Sequence, residues 1–506
     1  MRHSLKSERL QKWRDGLLVS KTAADRQKVA MDGINNGWPE ELRDPVIRGS
    51  AWEYLTNSAE RHNQPGKFTA LIGYEWTSWP GGSNLHRVVI FKDDAEKTQQ
   101  ILPFSRDDSP RPEDLWKFLA GYEQKTGGSV LAIPHNGNLS NGLMFPLLAE
   151  DGTPLSDDYL SERARWEPVA EVTQIKGDGE THKYLSPNDE FADYETWDFG
   201  NFRGVQKTDD MLQSEYARSA LKLGLEFKSE RGVNPYKFGM IGATDSHTAL
   251  ATADENNFYD KHSGGMEPGK TRWKGHVGKG RETSILGFLM AASGYADVWA
   301  NENTRESIWD AMKRKEVYAT TGPRMTVRLF GGWDYATGDA QSPNFASIGY
   351  AGGVPMGGDL TGGDRDAPHF LVAARKDPLG ANLDRVQMVK GWRTDDGKTH
   401  EQVYNIKWAG ERTIDTDSKL PAIGSTVNVE EATYSNSIGS TELSTMWTDP
   451  DFDAAQHAFY YVRVLEIPTP RWTAYDVAFF KTGMAPIVKM QHQERAYTSP
   501  IWYTPK

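Results

Sequence analysis

Residues 238–247 read FGMIGATDSH. The first six are almost wholly apolar and follow a lysine, the pattern of a strand buried on both faces. Asp245 and His247 come directly after the apolar run. A carboxylate and an imidazole two residues apart at a strand end can reach the same or adjacent metal ions. The arrangement recurs upstream. Residues 129–134, SVLAIP, run into His135, and residues 68–75, FTALIGYE, end on Glu75. Residues 86–91, HRVVIF, open on His86, and residues 169–175 run into Lys176-Gly-Asp-Gly-Glu180. Residues 317–320 form a short strand that ends in Thr321-Gly-Pro-Arg324.

Helical periods lie between these runs. Ile47, Ala51, Leu55 and Ala59 share a face, as do Leu115, Phe118, Leu119 and Tyr122. Residues 211–230 read as one long helix, and Asn303 with Glu306 approximates a capping box for a helix that runs to Lys315. Strand and helix alternate, which predicts a mainly parallel α/β core with its polar residues on the face where the strands end. After Arg324 the helical periods give way to short alternating runs: MTVRLF, HFLVAAR, RVQMVKGW, EQVYNIKWAG and FYYVRVLEI. They predict a second, β-rich domain, a sandwich, over residues 325–506.

The chain has 506 residues, enough for two to four domains or one large barrel with an appendage. Its net charge of −12 speaks against a binder that neutralises nucleic-acid phosphates, and for solubility. There is no cysteine, which excludes disulfides, thiolate metal sites, iron–sulfur clusters and a cysteine nucleophile. Any metal must therefore be held by His, Asp and Glu. The most apolar uncharged stretch, residues 283–296, falls short of the roughly 20 apolar residues a membrane span needs. Residues 340–358 carry no charge except Asp359 just beyond them, but they are rich in Gly, Pro, Ser and Asn and read as a loop. Residues 1–21 lack the apolar core of a secretory signal and read as a polar helix. The expectation is a soluble chain, cytoplasmic as it stands, and periplasmic or secreted if a signal peptide precedes it.

Five residues form the strongest constellation: Glu75, His86, His135, Asp245 and His247. Singly, each reads as well as an ordinary structural residue. Together, at or beside strand ends, they predict a shared centre for Zn, Mn or Fe. Arg87, Lys176 and Arg324 are cations near the same strands, where they would clamp phosphate oxygens. Glu180 and His182 lie in a Gly-rich loop and are further pocket candidates. The tryptophans, including Trp76, Trp79, Trp116, Trp166 and Trp197, read first as core, with carbohydrate or aryl recognition as the alternative.

The motifs GYEWTS, NLHRVVIF, AIPHNGN, GATDSH and YATTGPR, with LEIPTPRWTAYD and ERAYTSPIWYTP near the end, resemble a large bacterial family known only as a domain of unknown function. That family is placed in the PHP (polymerase and histidinol phosphatase) superfamily of metallohydrolases. The resemblance implies a distorted (β/α)7 barrel over residues 1–324 that binds two or three divalent metals. By it, Glu75 is the bridging glutamate, His86 and His135 are later histidine ligands, and Asp245 with His247 is the closing pair. It also implies hydrolysis of a small-molecule phosphoester by metal-activated water, with no nucleic-acid or membrane partner.

The chain departs from that pattern at its start. The opening His-x-His is absent, and the only histidine before His62 is His3. The barrel is therefore expected to lack its first strands, by truncation on the order of a hundred residues. Five ligands would hold one ion well, since each site takes about four. The alternative expectation is an inactive truncated or degenerate paralogue that acts as a binding or structural protein.

Overall fold

The computed structural model of the chain describes residues 8–19, 25, 28–29, 39–201, 203–248, 250, 252–261, 267–279, 284–362, 366–416 and 419–505. His3 lies outside them. Glu8–Val19 forms a polar helix, α1, and Pro45–His62 forms α2. Pro45 stands at the start of α2, where its missing N–H is not needed, and the Asp44 side chain accepts from Val46 N at 2.7 Å.

Ile72–Trp76 (β1), Arg87–Phe91 (β2) and Val130–Pro134 (β3) form an antiparallel meander. Helix α3, Pro112–Thr126, fills the connection between β2 and β3 and ends on Gly127 at φ 63°. Only glycine takes that left-handed cap without cost. Trp52, Trp76, Trp116, Tyr122, Trp166 and Phe91 pack around this sheet. Asp157–Trp166 (α4) leads into Val169–Gln174 (β4), which pairs in parallel with Gly239–Gly242 (β5) across Ala217–Arg231 (α5). The helix read over residues 211–230 is interrupted: Asp209–Leu212 is a separate turn before α5.

Tyr295–Val298 (β6), Arg305–Lys313 (α6) and Val317–Thr320 (β7) follow. Thr304, not Asn303, caps α6, accepting from Ser307 N at 3.2 Å. Strands β6 and β7 then join a sheet built mostly from the second half of the chain. It contains Leu383–Arg393 (β8), Thr399–Trp408 (β9), Ala458–Glu466 (β10), Arg495–Thr498 (β11) and Ile501–Thr504 (β12). A smaller sheet packs on one face of it, built around Thr326–Gly332, His369–Arg375 and Glu442–Thr448. Val327, Leu329, Phe370 and Val372 from that sheet meet Val386, Met388, Val462 and Val464 from the large one. The half after Arg324 is β-rich as expected, but it does not form the separate sandwich read from the sequence, because β6 and β7 from before Arg324 belong to its large sheet. The opposite face of the large sheet, with Val389, Phe459, Tyr461 and Trp502, packs on Ala217, Ala220 and Leu221 of α5. Strands from both sides of residue 324, β7 before it and β11 after it, pair in the large sheet.

The expected (β/α)7 barrel is not what the chain forms. The described residues make a mixed α/β fold of six sheets in which most ladders are antiparallel; the parallel ones are β4 with β5 and Asp359–Thr361 with β12. The reason is visible at β1 and β2. Residues 77–86 between them are too few for the crossover of a dozen or more residues that a parallel pair requires. The connection from β2 to β3 contains a helix and is compatible with either direction, so the strand–helix rhythm does not decide it. Residues 340–358 also differ from the loop expected. Phe345–Gly352 is a helix whose Phe345 and Ile348 pack near Phe330 and Tyr335. Gly349 permits this: a Cβ there would lie 2.4 Å from the Phe330 ring. Among the described residues no helix is long and apolar enough to cross a membrane.

A buried ion network ties the two halves together. Arg218 on α5 pairs with Glu180 at 2.6 Å and Asp189 at 2.9 Å, and Arg463 on β10 pairs with the same Asp189 at 2.6 Å. All four side chains are almost wholly buried.

Candidate metal centre

The antiparallel meander brings the end of β1, the start of β2 and the end of β3 to one edge. Glu75 sits opposite Val88, Trp76 opposite Arg87, and Arg87 opposite Pro134. Glu75, His86 and His135 are therefore neighbours there. Glu75 Oε1 lies 2.7 Å from His86 Nδ1 and 3.5 Å from His135 Nε2. The imidazole rings meet edge to face at 5.5 Å. One ligand atom from each residue falls within 4.8 Å of the others.

These spacings suit an ion. Four ligands at about 2.0–2.1 Å around a tetrahedral Zn²⁺ are separated by about 3.3 Å, and the two Glu75 distances bracket that value. His135 is buried, while the Glu75 side chain keeps 33 % of its exposure. The cluster is closed on the protein side and open on the other, as three-ligand sites with a vacant position are. Burial acts to raise the Glu75 carboxyl, but hydrogen bonds from His135 and His86 outweigh it and hold the group well below the usual range. Burial lowers His86, with Glu75 opposing in part. His135 is raised: burial opposes, but Glu75, Glu171 and Asp245 prevail.

Asp245 and His247 follow β5, beside the end of β4. Asp245 accepts from Lys176, from Lys261 Nζ at 2.6 Å and from Gln174 Nε2 at 3.0 Å. Asp245 Oδ1 lies 3.8 Å from His247 Nε2. The structure thus brings Asp245 and His247 to each other and to two ammonium groups, not into the ligand group of Glu75, His86 and His135. The two sets adjoin: Gln174 donates to Asn136 Oδ1 at 2.6 Å as well as to Asp245, and Asn136 follows His135 in the chain. Asn136 and Asp245 both hold positive φ, 52° and 50°. Paired left-handed residues beside two site residues are the kind of local strain that functional loops keep.

Burial acts to raise Asp245, but the charges of Lys176 and Lys261 outweigh it and hold the carboxyl low. Lys261 is pushed below its ordinary value by burial and by the neighbouring Lys176 charge. Burial lowers His247, with Lys261 adding to the effect. Glu171, on β4 facing the Asn136 side, is pushed up to about 7 by burial, with His135 opposing in part.

The other candidates lie elsewhere. Arg87 is buried on the opposite face of β2, donating to Glu167 at 2.9 Å and to Leu85 O. Arg324 is exposed and stacks over Tyr295 at 5.4 Å. Glu180 is in the Arg218 network, and His182 pairs with Asp198 at 3.2 Å. Trp76, Trp116, Trp166 and Trp197 are core residues, and Trp79 lies under Arg106 at 4.7 Å.

Sequence reasoning missed Lys261, Gln174, Asn136 and Glu171. Lys261 belongs to no motif; its placement depends on the turn that carries residues 252–261 back to Asp245. Asn136 had the nearest signal, the polar run after β3. A second group, Glu255, His492 and Glu494, also gathers ligand atoms within 4.8 Å. It was illegible because Glu255 and the other two lie more than two hundred residues apart.

No curated protein and no solved structure matches the chain. Residues 3–505 match the family described as "Protein of unknown function (DUF3604)". That match spans nearly the whole sequence, and the chain belongs to the DUF3604 family.

Proposed function

We propose that the chain is a metal-dependent hydrolase of phosphoesters, with Glu75, His86 and His135 as the ligands of a divalent Zn, Mn or Fe ion. The observation that supports this reading is the open Glu75–His86–His135 cluster beside Lys176 and Lys261. When bound, the ion supplies Lewis acidity toward water and toward a phosphoryl oxygen. Lys176 and Lys261 bind anionic substrate oxygens, and Asp245 holds the two ammonium groups in place until substrate arrives. Glu171, raised to about 7, holds or releases a proton near neutral pH. His247, with a side chain 46 % exposed against 17 % for Asp245, is the more open member of that pair. The motifs quoted above and the order of these ligands support kinship with PHP-superfamily metallohydrolases, without the barrel.

A second reading is a binding protein without turnover. Asp245 favours it, because its lysine partners keep it out of the Glu75 cluster. Hydrolysis of aryl phosphomonoesters and phosphodiesters by the full chain, loaded with Zn, Mn or Fe, separates the two. Turnover that vanishes in Glu75→Ala and His135→Ala is expected. Rates equal to those of the variants under every metal would leave only the binding reading.

A further inference from the structure

His492 belongs to a two-residue strand, Gln491–His492, just before Glu494 and β11. Its side chain is 6 % exposed. His492 Nδ1 lies 3.1 Å from Glu195 Oε1, and Arg471 grips both oxygens of that same carboxylate at 2.9 Å. The ring is therefore fixed by one nitrogen. Among the described residues the other nitrogen, Nε2, meets no acceptor in good hydrogen-bond geometry and instead faces two carboxylates. It lies 3.1 Å from Glu494 Oε1 and 3.6 Å from Glu255 Oε1.

Each of these two carboxylates is anchored by its second oxygen. Glu494 Oε2 accepts from Tyr194 at 2.9 Å and from Thr321 Oγ1. Glu255 Oε2 accepts from the Trp472 backbone N–H. Three ligand atoms are thus held by partners behind them and converge within 4.8 Å of one another among buried side chains. The separations of 3.1 and 3.6 Å bracket the roughly 3.3 Å between ligands of a tetrahedral ion. A histidine whose far nitrogen pairs with a carboxylate while its near nitrogen faces the centre is the usual arrangement around a bound metal.

The charge of the site is compatible with the same occupant. Arg471 balances Glu195, which leaves the two carboxylates Glu255 and Glu494 in a buried site with one imidazole. A divalent cation beside a neutral imidazole neutralises both. Without one, burial acts to lower His492, but Glu494 and Glu255 outweigh it and raise the imidazole to about 10, and burial raises Glu255 to about 7. An ion would displace the protons that now balance the site.

We propose that Glu255, His492 and Glu494 form a second, structural site for a divalent transition-metal ion of the Zn or Mn class. The site clamps residues 252–261 to the C-terminal sheet. The far end of that segment carries Lys261, which reaches Asp245. The ion therefore holds the segment that delivers a cation to the candidate centre.

The experiment uses the full chain, loaded with Zn²⁺, freed of loose metal and analysed by elemental mass spectrometry. The combined Glu75→Ala, His86→Ala, His135→Ala variant isolates the new site and should keep about one ion per chain, with a melting temperature that falls on chelation. Adding His492→Gln or Glu255→Gln should remove that ion. Co²⁺ in the triple variant should give a visible d–d absorption band, a readout that needs no further substitution if His492→Gln fails to fold. A triple variant that holds no metal and gives no Co²⁺ band, while the parent chain binds one ion, overturns this inference and leaves the Glu75 cluster standing. One ion that survives the triple substitution but not Glu255→Gln, with no second ion in the parent, supports this site and overturns the other. Metal content unchanged by both His492→Gln and Glu255→Gln overturns the inference, as does a chain that binds no metal at all.

Discussion

Glu75 Oε1 lies 2.7 Å from His86 Nδ1 across the β1–β2 hairpin, although ten residues of chain lie between the two. The contact exists because the strands run antiparallel, which returns the chain to the edge where Glu75 ends β1. A carboxylate so placed faces two imidazoles at once. Glu75→Gln keeps the volume and removes the charge. It should weaken Zn²⁺ or Mn²⁺ binding at this cluster by about tenfold or more, read by competition with a chromophoric chelator. Unchanged affinity would show that Glu75 is not a ligand.

Lys261 should act on substrate binding. Lys261→Met removes a charge-assisted contact of about 1.5–3 kcal/mol to an anion, so KM for an aryl phosphoester should rise roughly ten- to a hundredfold. The change in kcat should be smaller. A variant with the parent KM would remove Lys261 from the anion site.

Arg218 tests how far the two halves depend on one another. Arg218→Met leaves Glu180 and Asp189 buried with Arg463 as the cation that still pairs with both. Breaking a buried pair on one side costs about 3–5 kcal/mol. Chemical denaturation should register a loss of that order. A loss below about 1 kcal/mol, the range of exposed pairs, would mean that water reaches the network.

Asp297, on β6, sets a pH dependence. Burial pushes its carboxyl up from an ordinary 3.8 to about 7, with Thr320 and Arg324 opposing in part. Between those values the folded chain holds a proton that the unfolded chain has released. Stability therefore falls as pH rises from near 4 toward 7, by at most about 1.4 kcal/mol per pH unit from this group. Asp297→Asn removes the term. Its stability relative to the parent should climb over that window and level off above it, in denaturant titrations at several pH values. Parallel pH curves for the two proteins would refute the raised carboxyl.

Gly349 lets the helix Phe345–Gly352 lie against Phe330. Gly349→Ala forces that ring or the helix to move and should cost about 1–3 kcal/mol. An unchanged melting temperature would show that Phe330 has room to turn.

Local pattern alone determined a good deal. The strands at Val130–Pro134, Val169–Gln174, Gly239–Gly242 and Val317–Thr320 stand where short apolar runs place them, because burying such runs is favourable in any fold. The change of texture after Arg324 marks the β-rich half for the same reason. The polar residues at the ends of those runs read as one centre of five, Glu75, His86, His135, Asp245 and His247, of which the structure gathers the first three as ligands and sets Asp245 against Lys176 and Lys261. Strand direction was another matter. The short connection from β1 to β2 requires antiparallel pairing, but a helix between two strands, as between β2 and β3, permits either direction, and only the assembled meander shows which is taken. Long-range neighbours were equally out of reach. Lys261 meets Asp245, and Glu255 meets His492, only because loops return from distant elements, and the free energy that holds them comes from burial and charge compensation in the assembled core.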